Sequence, residues 1–282
     1  MFTLHPHELG TTRYWTGGTT GPTVVFLHGA TLDHRAWAPQ AEALGDGFRV
    51  VVPDLRGHGG STGRFEFEDA VQDVIALLDH LPTSKVVLVG LSLGANIAQE
   101  VVHRDPNRVL ALVVADATCN TAVRVPWAAP MTVAALKAQA MVAGDEFGRH
   151  AAAVTAIDPE VQTYALEANA HRSNDETVAI LSSLLTDALR SDPTYRLPVP
   201  TLLVHGDSDR IGDIADGTRA WARREPLAEY AVIPGAGHAS NLDNPEVFTA
   251  VLRGFLDRVV PGNGPVDGPG DASWGAALSA AA

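Results

Sequence analysis

The chain has 282 residues, 46% hydrophobic and 19% charged. This is the composition of a globular protein long enough to bury roughly 75% of its unfolded surface, which excludes a wholly disordered chain. Twenty Lys and Arg against 33 Asp and Glu leave a net charge of −13, which argues against a nucleic-acid binder or a polybasic protein of membrane surfaces.

At the N-terminus no basic segment is followed by an apolar one, so no signal peptide is visible, and no apolar run approaches the ~20 residues of a membrane-spanning helix. A soluble cytoplasmic protein is the expectation. His5 and His7 lie in a polar segment without further metal ligands. The run from Gly17 to Gly21 reads as a turn between two early strands; it lacks the Gly-Lys-Ser/Thr ending of a phosphate cradle. No Gly-x-Gly-x-x-Gly follows a strand, so a dinucleotide site is not supported.

Valine-rich runs at residues 23–27, 49–52, 85–89, 109–115, 201–204 and 229–233 predict buried strands. Helical patterns separate several of them. Phe67, Val71, Val74, Leu78 and Leu81 recur at three- and four-residue intervals, a second helix is expected over about residues 93–103, and a third opens at Asn244-Pro245 with Val247, Val251 and Phe255 inward. Strands alternating with helices predict a mostly parallel, doubly wound α/β sheet. Residues 120–195 interrupt the alternation with an alanine-rich stretch that reads as helices only, a cap inserted into a core of residues 1–119 and 196–260. Trp127, Met131, Leu136 and Met141 are candidates there for lining a pocket or packing the cap's own core, and Trp37 reads as core. Cys119, the single cysteine, can form no intrachain disulfide and reads as a small buried hydrophobe. Residues 261–282 are mostly Gly, Pro, Ala and Ser with little to pack, and read as a disordered tail.

The sharpest motif is Gly90-Leu91-Ser92-Leu93-Gly94, placed directly between a predicted strand and a predicted helix. In that context the serine sits at the tip of a strained turn, side chains at positions 90 and 94 would crowd their neighbours, and the helix start contributes positive field. A serine hydroxyl needs a base. His238, in Gly235-Ala236-Gly237-His238 after the strand at 229–233, is the best placed of eleven histidines. The acid falls in Gly206-Asp207-Ser208-Asp209-Arg210, where Asp209 is preferred for lying further round the turn and Asp207 is the runner-up, whichever loses being a turn-stabilising carboxylate. A calcium loop is rejected because position 12 of a loop beginning at Asp207 is Thr218, not glutamate. Backbone N–H groups of Ala30, in His28-Gly29-Ala30-Thr31, and of Leu93 are the candidate oxyanion donors, with His28 structural. In Asp54-Leu55-Arg56-Gly57-His58-Gly59-Gly60-Ser61, Asp54 and Arg56 read as an ion pair or backbone anchor fixing a loop, and His58 as exposed.

Together His28-Gly29, Asp54-x-Arg56-Gly57-x-Gly59-x-Ser61, Gly90-x-Ser92-x-Gly94, Gly206-x-x-Asp209 and Gly235-x-Gly237-His238 resemble the α/β-hydrolase superfamily, in the family's order. Among its members the chain is similar to capped bacterial hydrolases, a group that includes esterases, lactonases such as 3-oxoadipate enol-lactonase, carbon–carbon bond hydrolases and cofactor-free perhydrolases. The resemblance implies an α/β-hydrolase fold with an inserted helical cap. It also implies a serine hydrolase acting on a small carboxylic ester or lactone, with Ser92 as nucleophile, His238 as base and Asp209 orienting it. No cofactor or metal is implied. Serine rather than aspartate as nucleophile departs from the related epoxide hydrolases and haloalkane dehalogenases. A carbon–carbon bond hydrolase, a perhydrolase and a hydrolase-fold ligand receptor remain alternatives, and the oligomeric state is left open.

Overall fold

The computed structural model describes residues 2–123 and 127–260. The tail expected at residues 261–282 lies outside the described residues. Eight strands form one sheet in the order β1-β2-β4-β3-β5-β6-β7-β8. A hairpin of β1 (His5–Leu9) and β2 (Thr12–Gly17) runs antiparallel to the rest. The other six are mutually parallel: β3 (Thr23–Leu27), β4 (Arg49–Pro53), β5 (Val86–Leu91), β6 (Val109–Ala115), β7 (Thr201–Gly206) and β8 (Ala228–Ile233).

Alternate residues of each strand face opposite layers. Val25 and Leu27 join Val51, Leu88 and Leu112 in one apolar layer, covered by α2 (Phe67–His80), α3 (Leu93–Arg104) and Trp221 of α8 (Ile214–Arg224). Val24 and Phe26 join the second layer, covered by α1 (Ala38–Leu44) and α10 (Pro245–Val259). Trp37 lies there fully buried, its ring 5.0 Å from Phe26 and 6.0 Å from Phe248. Asn244 caps α10 by accepting the Val247 N–H, as its sequence predicts. The inward face of that helix is Phe248, Leu252, Phe255 and Leu256; Val247 and Val251 sit half-buried at its rim, one position off the expected stripe. Phe255→Ala is expected to lower the free energy of unfolding by about 3–5 kcal/mol in urea titrations, the cost of a large cavity in a close-packed layer.

Between β6 and β7 the described residues form four α-helices and no strand: α4 (Ala128–Ala143), α5 (Phe147–Thr155), α6 (Pro159–Asn169) and α7 (Asn174–Asp187). The segment leaves and rejoins the sheet at one neck. Arg190 N–H donates to the Asn120 carbonyl at 2.8 Å and Asp192 N–H to that of Thr121 at 3.2 Å. Asn120 is in turn held on α3 by Asn96 and Gln99. Ala140 is the one buried residue of α4, so Trp127 (62% exposed), Met131 (62%) and Met141 (83%) pack no internal core; Met141 edges an open groove shared with α7. Leu136 alone of the four candidates is half-buried. Among the described residues no helix is long and apolar enough to cross a membrane.

Candidate active site

The site forms at the carboxyl ends of the parallel strands, where crevices open in sheets of this kind. Strand β5 runs two residues further than its apolar run suggests, through Gly90 and Leu91, and the chain then turns directly into α3. Ser92 occupies that corner at φ +50°, ψ −116°. The flanking glycines are required by close approach. A Cβ on Gly90 would fall 2.4 Å from the Ala95 backbone, and one on Gly94 would fall 2.2 Å from the Leu27 carbonyl oxygen of β3. The three non-glycine residues with positive φ among the described residues, Thr31, Ser92 and Asp116, follow β3, β5 and β6, so backbone strain collects around one end of the sheet.

His238 follows β8 in the loop before α9 (Ser240–Asp243), and Asp209 follows β7. Across 146 residues of sequence, His238 Nε2 lies 2.8 Å from Ser92 Oγ, and its Nδ1 lies 3.0 Å from Asp209 Oδ2. An ionised carboxylate only accepts, so Nδ1 carries the proton and Nε2 is free to accept from the serine hydroxyl. The Asp209 side chain is inaccessible to solvent, and its second oxygen accepts the Ile211 N–H at 2.9 Å. Burial would depress the His238 pKa, but the hydrogen bond and charge of Asp209 and the charge of Asp116 outweigh it, and the imidazole stands raised from its ordinary value. Asp207, the competing carboxylate, is exposed and accepts the Gly235 N–H at 3.0 Å, the turn-stabilising role.

Gly29 lies against Ser92: a Cβ there would meet the Ser92 Cβ at 3.5 Å. Ala30 is thereby carried beside the serine, while Leu93 opens α3 next to it. No described hydrogen bond takes up the N–H of either residue. His28 is fully buried, with Nδ1–H donating to the Gly29 carbonyl at 2.8 Å and Nε2 accepting the Leu55 N–H at 2.9 Å. It holds the two loops together as neutral imidazole, since burial lowers its pKa. His58 corrects the sequence reading. Gly57 and Gly59, both at positive φ, fold its ring back until it is fully buried against His28 and Phe65. Asp54 and Arg56 do anchor this loop, but not by pairing with each other. Asp54 accepts the N–H groups of His34 (2.7 Å) and Gly60 (2.6 Å), and Arg56 pairs with Asp73 of α2 at 2.7 Å.

Asp33, His34 and Asp54 bring ligand-type atoms within 4.8 Å of one another. Their polar atoms are already engaged, Asp33 by Arg35 and Tyr164 and Asp54 by His34 and Gly60, so the cluster is an anchor for loops. Cys119 is buried as expected.

The residue that sequence reasoning missed is Asp116. It follows β6, is fully buried, and burial pushes its carboxyl up to about 7. In the sequence it is one aspartate after a strand, indistinguishable from a turn residue. Its position beside the acid and histidine loops appears only once β6, β7 and the chain after β8 are brought together.

The helices between β6 and β7 are tied to the same rim. Thr155 O accepts the Ala239 N–H at 2.6 Å, Tyr164 Oη donates to the Asp33 carbonyl at 3.2 Å, and Arg172 Nε donates to the Gly57 carbonyl at 2.9 Å.

Known proteins share this architecture. Residues 24–251 match the model of the alpha/beta hydrolase family. The chain is 29% identical to a 2-(acetamidomethylene)succinate hydrolase of Mesorhizobium japonicum, covering 84% of this chain and 89% of the relative. It is 25% identical to 3-oxoadipate enol-lactonase 1 of Acinetobacter baylyi, covering 86% and 91%. Among solved structures, a thermophilic esterase from Thermogutta terrifontis superposes with a TM-score of 0.75 at 27% identity, covering 92% of this chain and 99% of that one. The mostly parallel sheet, the strand–serine–helix corner and the match over most of the chain agree: the chain belongs to the alpha/beta hydrolase family.

Proposed function

We propose that the chain is a serine hydrolase that cleaves a small carboxylic ester or lactone through an acyl-enzyme intermediate. The observation that carries the reading is the continuous Ser92–His238–Asp209 hydrogen-bond chain at 2.8 and 3.0 Å. Ser92 Oγ attacks the carbonyl carbon while its proton passes to His238 Nε2, and the carbonyl π pair moves to the oxygen. The N–H groups of Ala30 and Leu93 hold that oxyanion. The imidazolium, steadied by Asp209, then protonates the leaving alkoxide. In the second half His238 takes a proton from water, hydroxide adds to the acyl carbon, and Ser92 leaves with its proton restored. The route uses side chains, backbone and water.

Residues 120–195 serve as the cap in this reading. Their ties to the loops at Asp33, Gly57 and Ala239 set them over the rim, where they select the substrate. The names of the relatives, a lactonase and an esterase among them, support ester-type chemistry.

The test is a panel of nitrophenyl esters and lactones combined with a fluorophosphonate probe and mass spectrometry. Turnover of at least one class with a single adduct on Ser92 is expected; an adduct elsewhere, or none, refutes the assignment. The pH profile adds a second check. His238 must be neutral to accept the serine proton, so kcat/KM rises with pH through its pKa. Because that pKa is raised, the midpoint of the acid limb is expected above the ordinary histidine value of about 6.5.

A further inference from the structure

A fully buried carboxylate that the mechanism above leaves unused lies between the acid loop and the histidine loop. Asp116 Oδ1 accepts the Gly206 N–H at 2.8 Å, and Oδ2 accepts the Ser240 hydroxyl at 2.5 Å. Gly206 is three residues before Asp209 and Ser240 two residues after His238. The two loops also press together directly: a Cβ on Gly206 would fall 2.2 Å from the Ala236 and Gly237 carbonyl oxygens. Asp116 itself is held at φ +47°, a backbone region aspartate enters at some cost. A strained, solvent-free carboxylate joining the acid loop to the histidine loop is an expensive feature for a fold to keep without use.

We propose that Asp116 is a positioning residue for His238: it ties the acid loop to the histidine loop and adds a second negative charge behind the imidazolium that forms during acyl transfer. The proposal rests on the reading of Ser92, His238 and Asp209 given above. The charged groups facing Asp116 are His238 and Asp209, from the loops after β8 and β7; β7 presents the Gly206 N–H and the chain after His238 the Ser240 hydroxyl. Asp116 takes no proton in the reaction. The serine proton passes to Nε2 and on to the leaving group, while the carboxylate lowers the energy of the cation between those two transfers. Its own pKa of about 7 places the charge mainly above neutral pH, the range in which a resting His238 is neutral and the enzyme works. Asp116 and His238 therefore titrate as a coupled pair.

The sign of the cost separates this role from a structural one. A carboxyl whose folded pKa lies above its unfolded value of about 3.9 loses stability as pH rises through the interval between the two. Asp116→Asn abolishes that cost. Its carbonyl oxygen can still accept the Gly206 N–H and its amide can donate to the Ser240 hydroxyl oxygen, so the one contact given up is the long Ser240 N–H bond to Oδ2 at 3.4 Å.

The experiment compares wild type and Asp116→Asn by kcat and KM against pH, with thermal midpoints at pH 8. Expected are a thermal midpoint no lower than wild type, a kcat about tenfold lower with KM little changed, and an acid limb moved down by about one pH unit because His238 loses a nearby opposite charge. An acid limb that stays in place, or kcat falling only together with the thermal midpoint, overturns the proposal. Asp116→Ser, a smaller neutral side chain, carries the same pH readout should the amide variant not fold. Fluorophosphonate labelling of Ser92 keeps the two readings apart: an unlabelled wild-type Ser92 refutes the nucleophile, whereas a labelled Ser92 with an unmoved acid limb refutes only the role of Asp116.

Discussion

Ser92→Ala is expected to lower ester turnover by about 10⁴–10⁶-fold and to abolish fluorophosphonate labelling, with the fold intact by circular dichroism. The size follows from what the hydroxyl does. In the proposed mechanism it is the atom that bonds to the acyl carbon, and it lies 2.8 Å from the His238 Nε2 that would take its proton. Without it the proposed oxyanion donors, the N–H groups of Ala30 and Leu93, could only assist direct attack by water. The fold has no reason to suffer, because alanine removes one oxygen from a partly exposed corner and leaves Gly90 and Gly94 in place. Turnover persisting in this variant would move the chemistry to another residue.

Asp209→Asn is expected to lower kcat by about 10⁴-fold, and Asp207→Asn to leave it near wild type. The contrast rests on where each carboxylate points. Asp209 is shielded from water and accepts the Nδ1 proton at 3.0 Å. An amide there can present N–H to Nδ1 and invert the tautomer, leaving Nε2 protonated and unable to accept from Ser92. Asp207 is exposed and braces the Gly235 turn, a bond worth about 1 kcal/mol of loop stability. Equal losses in the two variants would mean that the acid loop acts as a unit and that its geometry, not Asp209, matters. Steady-state kinetics on one nitrophenyl ester distinguishes the cases.

Much of this was legible in the chain. The central strands announce themselves because both faces of β3, β5 and β6 are covered, so apolar residues, valine foremost, run almost without a polar break. The serine corner is legible because a steric constraint demands glycine at two fixed positions. His238 and Asp209 could be proposed because each follows a recognisable strand. The β1–β2 hairpin was not resolved as two elements, since β1 is an edge strand with mostly exposed or half-buried residues and gives no apolar run. The burial of His58 was illegible for a different reason: two positive-φ glycines decide where its ring goes, and composition reads the same segment as open loop. Helix α4 misled in the opposite direction, because its large apolar side chains suggested a core, whereas only Ala140 is buried, in a small cluster with Phe147 and Val178. Asp116 was hidden by distance, since its partners lie 90 and 124 residues away.

The neck at Asn120–Thr121 and Arg190–Asp192 has an architectural consequence. Because the chain departs and returns at neighbouring points, two splices would exchange the helices proposed as the cap for those of another member of the family. Ser92, His238, Asp209 and the positive-φ corners all stay on the retained side. In the proposed reading, changes in what is accepted can thus accumulate in about a quarter of the polypeptide while the bond-breaking residues are inherited unaltered, a division of labour that suits stepwise diversification.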